Sequence, residues 1–153
     1  MGPTTTESDL KTALTGLETS LSTPIVSGEL AAWMGEVQKA WQEASAQIHY
    51  SVKHLHQRQY DQMAKEDLEL LPRIELLKVE DEAIEQQREH ISQMVARDAQ
   101  HVPKLEPDEG KAQKHVQSLI DEGLAFITRV RKQEVAVQTW LLEAFNRDRG
   151  AVD

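Results

Sequence analysis

Apolar residues recur at helical spacing along almost the whole chain, which predicts an all-α protein. The first row is short and consists of Leu10, Leu14, Leu17 and Leu21. The segment "STPIVSG" at 22–28 follows it with a proline and a glycine, both of which interrupt regular structure. The pattern therefore predicts a short first helix near residues 7–21.

Three longer rows follow, and each is typical of a helix that buries one face. They are Met34, Trp41, Ile48 and Leu55, with Leu30, Val37 and Ala44 beside them; Leu70, Leu77, Ile84 and Ile91, with Ile74 and Val95; and Val116, Val130, Val137 and Ala144, with Ile120, Ile127 and Leu141. We predict helices near 29–64, 72–100 and 111–147. Between the last two, "HVPKLEPDEG" at 101–110 is predicted to be a loop because it carries two prolines and a glycine.

Pro72 decides whether the second and third rows belong to one helix or to two. Proline cannot donate a backbone hydrogen bond, and inside a helix it clashes with the preceding turn. A single helix from 29 to 99 would be on the order of 100 Å long, which is too long for a compact domain of this size. We therefore expect a turn at 65–71, and we expect the carboxylates of "QMAKEDLELLPRIE" to face solvent there rather than bind a metal.

Helices with rows of this length cannot bury them alone, because a helix in water depends on packing its apolar face. We expect residues 1–153 to form a single domain. The expected fold is an up-and-down helical bundle of three long antiparallel helices plus a short N-terminal helix.

Composition narrows the function classes. The formal net charge of −9 argues against nucleic-acid binding, which needs Lys and Arg to neutralise phosphates. The lack of cysteine excludes a disulfide framework and a zinc–thiolate site, and is compatible with a reducing cytoplasm. Neither a signal-peptide pattern nor an apolar run of roughly 20 residues is visible. We therefore expect a cytoplasmic protein with no nucleic-acid or membrane partner.

Three charged residues interrupt the apolar rows: Glu134 in the last helix, and Asp81 and Arg88 in the third. An ionised carboxylate in a core is costly unless it is paired, protonated or bound to a metal. We expect Glu134 to pair with an arginine, for which Arg88 is the natural candidate, or to lie at a wet part of the interface. The alternatives are a ligand of a dinuclear metal site, or a contact with a small ligand or another subunit.

The histidines give no metal-binding pattern. In "HYSVKHLHQR", His49, His54 and His56 lack the i,i+3 or i,i+4 spacing that lets two side chains meet on one ion. We expect them to form a partly exposed, mildly basic surface. His90 and His115 flank apolar rows on other helices, which is typical of histidines at the edge of a core. We also find no phosphate-binding glycine loop and no nucleophile elbow, so catalytic residues are not assigned.

Two stretches, "KEDLELLPRIELLKVED" and "QEVAVQTWLLEAFNRDRG", are similar to segments of hemerythrin-like (HHE-type) four-helix bundles. In that family a His-x-x-x-Glu step precedes an apolar-proline segment, and the last helix carries a glutamate before an apolar ending. The resemblance covers about half of the chain. It implies a four-helix bundle, and in the family such a bundle holds a di-iron centre with imidazole and carboxylate ligands.

Carried over position by position, the resemblance implies an incomplete metal site. Gln62 stands at the first histidine position, with Glu66 as the matching carboxylate, and His90 could be the histidine of the next helix. Glu134 matches the carboxylate of the last helix, but Val130 stands four residues before it in place of a histidine. The resemblance thus implies a bundle of this shape without its iron.

We therefore expect a non-enzymatic helical-bundle protein without a cofactor. It would act through contacts with an unknown protein partner, through self-association, or in a structural role. The helix at 29–64 is longer than the first helix can cover, which leaves apolar surface for a partner or a second copy. The alternative is a metal–carboxylate bundle that binds non-haem iron or oxygen, with candidate ligands Glu134, His90, His115, Glu66 and His54.

Overall fold

A computed structural model describes residues 7–105 and 109–152, with side chains described over 9–102 and 110–147. The elements are α1 (Glu7–Ser22), α2 (Leu30–Tyr50), a π-helical turn (Ser51–Leu55), α3 (His56–Glu66), a 3-10 turn (Leu68–Leu70), α4 (Leu71–Leu105) and α5 (Glu109–Val152). The described residues contain no strand. The predicted all-α class is therefore confirmed. Because α2, the π-helical turn and α3 follow one another without a break, the described residues form four helical segments, as predicted. None of the described helices combines the length and apolarity that a bilayer crossing requires.

The chain turns just before Pro72, as predicted. Helix α3 ends at Glu66, and Asp67 adopts an extended conformation with φ −154° and ψ 100°. The Asp67 carboxylate accepts a hydrogen bond of 3.0 Å from the backbone N–H of Glu69. Helix α4 begins at Leu71, so Pro72 lies in its first turn. Backbone N–H groups in the first turn have no acceptor within the helix, so the absence of an N–H at Pro72 breaks no helical hydrogen bond.

The prediction of a loop over 101–110 is wrong at both ends of that segment, because both ends are helical. Helix α4 continues through Pro103 to Leu105, and α5 begins at Glu109, while residues 106–108 lie outside the described chain. Val102 and Ala112 are both fully buried. Burial of apolar side chains on either side of the connection stabilises helical turns that local proline and glycine content disfavours.

Two hydrophobic clusters form the core. Helix α1 packs against α2 and α5, α2 packs against α4, α4 packs against α5, and α3 packs against α5. The first cluster lies among α1, α2, α4 and α5 and includes Leu14, Trp41 and Phe126. The second lies among α3, α4, α5 and the 3-10 turn and includes Tyr60 and Val137. Because α1 contributes only to the first cluster, that part of the core has one helix more than the second.

A layer of buried polar side chains separates the two clusters. Along the continuous α2–α3 segment, the first cluster extends to Val52 and the second begins at Tyr60. Corresponding intervals occur on α4 and α5. The polar residues at this level, called here the buried polar layer, are Ser51, His56, Asp81 and Gln133, which are buried, and Glu134, which is partly buried.

Candidate functional site

The π-helical turn directs His56 into the core. In an unbroken α-helix the apolar row of Trp41 and Ile48 would continue at Leu55. A π turn adds one residue, and this moves the inward position by one place along the chain. His56 is consequently 1% exposed, whereas Leu55 is half-buried. The expectation that His56 lies on a partly exposed surface is therefore wrong, because it assumed regular helical geometry.

His56 is held between two carboxylates from different helices. Its Nδ1 lies 2.9 Å from Oδ1 of Asp81 on α4, and its Nε2 lies 2.7 Å from Oε1 of Glu134 on α5. A neutral imidazole carries one N–H donor, whereas the protonated ring carries two. Two carboxylates facing the two nitrogens therefore favour an imidazolium.

Two opposing effects set the pKa of His56: burial lowers it, and the two neighbouring carboxylates raise it. Burial alone would lower the pKa of the imidazole, because it disfavours the charged form. The hydrogen bonds to Asp81 and Glu134, together with their negative charges, outweigh burial and raise the pKa from 6.5 to about 9. At neutral pH the ring keeps its proton and donates two charge-assisted hydrogen bonds.

Asp81 accepts two hydrogen bonds in addition to that from His56. Its Oδ2 accepts a hydrogen bond of 2.7 Å from the hydroxyl of Tyr60, and its Oδ1 accepts one of 2.9 Å from Nε2 of Gln133. Burial and the neighbouring Asp81 charge raise the pKa of the Tyr60 phenol, so the phenol remains a donor. Asp81, although only 3% exposed, is satisfied by three donors, as a buried carboxylate requires.

Ser51 completes the layer and raises the question of catalysis. Its hydroxyl lies 3.4 Å from Nε2 of His56, and His56 in turn contacts Asp81, in the order of a serine triad. The Ser51 hydroxyl, however, donates to Oε1 of Glu134 at 3.0 Å, and Ser51 is 2% exposed. A protonated ring cannot accept the serine proton. The arrangement therefore joins helices rather than activating a nucleophile.

The predicted pair of Glu134 and Arg88 is wrong. Arg88 donates from Nε to Glu85 at 3.0 Å and from Nη1 to Ser45 at 3.0 Å. Nδ1 of His49 lies 2.7 Å from Oε2 of the same Glu85 carboxylate. Burial raises the pKa of the Glu85 carboxyl, but the hydrogen bonds from Arg88 and His49 outweigh it and hold that pKa below its ordinary value. Arg88 thus belongs to a separate polar group between α2 and α4. The residue that pairs with Glu134 is His56 instead of Arg88.

The other alternative metal ligands lie apart from Glu134. The His54 ring lies against Tyr50 with ring centroids 4.9 Å apart and the ring planes tilted by 44°. His90 lies 3.3 Å from Glu122, His115 lies 2.9 Å from Asp98, and Glu66 is the last residue of α3. His54 and His90 are exposed, as surface histidines would be. The structure therefore does not bring the five candidates together.

The residues of the layer do not fit a non-haem iron centre. Among the residues whose positions are described, no group of three or more His, Asp or Glu side chains is arranged to hold a metal ion. The carboxylates of Asp81 and Glu134 lie at opposite nitrogens of His56, so an ion at either nitrogen would meet one imidazole and one carboxylate. Iron centres of the common facial type need two histidines and a carboxylate on one side of the ion.

Glu134 also connects the layer with the surface. Its side chain is 20% exposed and lines a groove of about 530 Å³ between α1 and α5. Leu10 and Leu14 are buried residues of the groove lining, and Val135 and Leu142 are exposed ones. The carboxylate that holds His56 from one side thus borders an apolar surface on the other.

Comparisons with known proteins leave this geometry to be interpreted on its own. Protein-family models, curated proteins and solved structures were each compared with the chain, and none of the three comparisons gave a match.

Proposed function

We propose that this chain is a non-enzymatic helical-bundle protein that acts through protein contacts or in a structural role. It resembles a hemerythrin-like domain without an intact di-iron site. The observation that supports this proposal is the commitment of both His56 nitrogens to carboxylates. Metal binding needs an imidazole lone pair, whereas here a proton occupies the ring and joins α3 to α4 and α5.

The proposed arrangement of the helices is up-and-down and antiparallel. Short connections at 23–29 and 67–70 link consecutive helices that pack together. Helices joined by connections of this length pack as antiparallel neighbours. The lack of cysteine supports a cytoplasmic location, where thiols are not used as structural cross-links.

Two exposed apolar side chains on α4 support the proposal that the protein acts through contacts with other proteins. Leu76 and Val79 lie three residues apart on α4 and are 61% and 68% exposed. Residues at this spacing share one face of a helix, so they offer a small apolar patch to a partner protein or to a second copy. Light scattering over a concentration series tests the second possibility, since self-association through this patch predicts a mass that rises toward the dimer. A monomer at all concentrations would restrict the contacts to a different protein.

Elemental analysis of natively purified protein tests the non-metal proposal. We expect iron and zinc far below stoichiometric amounts, because a metal at His56 would have to displace a proton that two carboxylates hold. Stoichiometric iron or zinc would contradict the proposal. If such a metal gave an absorption band that was lost in Glu134→Ala and His90→Ala but kept in the surface control Glu82→Ala, the iron- or oxygen-binding alternative would replace it.

A further inference from the structure

The groove between α1 and α5 has the size and lining of a small-molecule site. Its volume of about 530 Å³ falls within the roughly 300–1,000 Å³ that is usual for ligand pockets. Leu10 and Leu14 line it at 2% and 1% exposure, and Val135 and Leu142 line it at 66% and 63% exposure. An aliphatic chain in the groove would therefore be removed from water by both helices.

One carboxylate meets this apolar surface in a fixed position. The hydrogen bonds that Glu134 accepts from His56 and Ser51 both fall on Oε1, at 2.7 and 3.0 Å. These bonds hold the carboxylate from the interior, so its side chain needs no further ordering to meet a ligand. Glu134 is also a lining residue of the groove, and its side chain is 20% exposed, so the carboxylate held by these bonds borders the groove.

The charge of the buried polar layer favours a cationic ligand. One imidazolium is shared by two carboxylates, so the layer has an excess of negative charge. Of the cations in the groove lining, Arg131 already pairs with Glu18 at 2.7 Å, and Lys11 is exposed, where water screens its charge. A ligand ammonium beside the partly desolvated Glu134 would interact with it more strongly than an exposed ion pair does.

We propose that this groove is a binding site for a small amphiphilic amine. The ammonium group donates a hydrogen bond to Glu134, and the aliphatic chain lies along Leu10, Leu14 and Leu142. The open side of the groove leaves the other ammonium N–H groups in contact with water. This site is independent of the protein contacts proposed above, because Leu76 and Val79 on α4 lie outside its lining.

A titration with ligands matched in chain length tests the proposal. Octylamine is added to ¹⁵N-labelled protein near neutral pH, with octanol, octanoate and methylamine as comparison ligands. We expect octylamine to bind saturably and to shift the backbone amides of α1 and α5 around Leu14 and Gln138. Octanol should bind about tenfold more weakly, because it lacks the ammonium group that pairs with Glu134. Octanoate should bind more weakly still, and methylamine should show no saturable binding.

Two variants separate the charge from the apolar contact. Glu134→Gln keeps the shape of the side chain, and it should weaken octylamine binding about tenfold while leaving octanol binding unchanged. Leu142→Ala should weaken octylamine and octanol to a similar extent. Leu76→Ala is the matched control, because Leu76 is as exposed as Leu142, at 61% against 63%, but lies on α4. Since Leu142 and Leu76 are both exposed, these two variants keep the fold and the test does not depend on Glu134→Gln alone.

Any of four results would overturn the amine site. They are no saturable binding of octylamine, equal affinity for octanoate, displacement of octylamine by methylamine at the same concentration, and amide shifts centred on His49 and Arg88 instead of the groove. Equal loss of octylamine binding in Leu76→Ala and Leu142→Ala would have the same effect. These results leave the non-metal proposal untouched, because elemental analysis measures a different property.

Discussion

His56 Nε2 lies 2.7 Å from Glu134 Oε1, and this contact ties α3 to α5 in the interval between the two hydrophobic clusters. The opposite nitrogen of the same ring contacts Asp81 on α4, so one protonated side chain joins three helices. Along each of these helices, the contact falls where the cluster that includes α1 gives way to the cluster that does not. The proton on His56 is therefore expected to stabilise the fold at this point.

The free energy of unfolding should fall as the pH rises through about 9. The pKa of His56 is raised from 6.5 to about 9 in the folded protein, so its contribution is complete below pH 6.5 and is lost as the ring deprotonates. A shift of this size corresponds to on the order of 3 kcal/mol. Urea unfolding between about pH 6 and about pH 10 measures it, with His56→Gln as the reference that lacks this titration. Parallel pH profiles for the two proteins would refute the contribution.

Removing the charge of Asp81 should lower the free energy of unfolding far more than removing the charge of its neighbour Glu82. Asp81→Asn leaves a buried imidazolium with one carboxylate, which should cost roughly 3–5 kcal/mol. Glu82 is 61% exposed and lies 3.7 Å from Lys53, so Glu82→Gln should change stability by less than about 0.5 kcal/mol. Denaturant midpoints and slopes provide the measurement. Similar losses in the two variants would show that the layer does not depend on Asp81.

The sequence locates the two carboxylates of this layer and conceals its histidine. Asp81 and Glu134 are visible because each is a charged residue in an apolar row. His56 is concealed because heptad spacing assumes regular helical geometry, whereas the π turn adds a residue just before it. A signal for it does exist, since Tyr60 and Met63 follow His56 at four and seven residues and continue an inward row that excludes Leu55. The partner of Glu134 could not be deduced, because helical spacing does not specify which residues of two helices meet.

Deleting one exposed residue from the π turn should be tolerated. Without Lys53, His56 would stand seven residues after Ile48, so an α-helical turn would place it at the same inward position. We expect a folded protein whose stability changes by about 1–2 kcal/mol and whose unfolding remains cooperative.

The matched deletion of Glu89 should not be tolerated. Glu89 is also exposed but lies in a regular part of α4, where a deletion turns every later residue by about 100° and moves Ile91 out of the core. Circular dichroism and urea unfolding compare the two variants. Equal tolerance of the two deletions, or loss of folding in both, would contradict the role given to the π turn.

Replacement by alanine should cost different amounts of stability at Trp41 and at Trp140, because the two rings are buried to different extents. Trp41 is 3% exposed, packs on Phe126 at 5.9 Å between ring centroids, and donates its indole N–H to Ser92. Trp41→Ala should therefore cost roughly 3–5 kcal/mol.

Trp140 has one face covered by a polar group instead of the core. It is half-buried, with the guanidinium of Arg73 4.6 Å from its ring centroid. Trp140→Ala should cost about 1–2 kcal/mol, because less apolar surface is lost and the cation–π contact is partly solvated. Thermal and urea unfolding of both variants measure the difference, and a loss in Trp140→Ala as large as that in Trp41→Ala would contradict it.

The ionisation state of His56 in the folded protein decides between a proton and a metal at the centre of the layer. ¹⁵N NMR of the imidazole in natively purified protein reports both nitrogens at once. Near neutral pH, both should carry a proton, and the ring should titrate with a pKa of about 9. A ring that is neutral at neutral pH, or a nitrogen bound directly to a metal, would contradict the proton-centred layer.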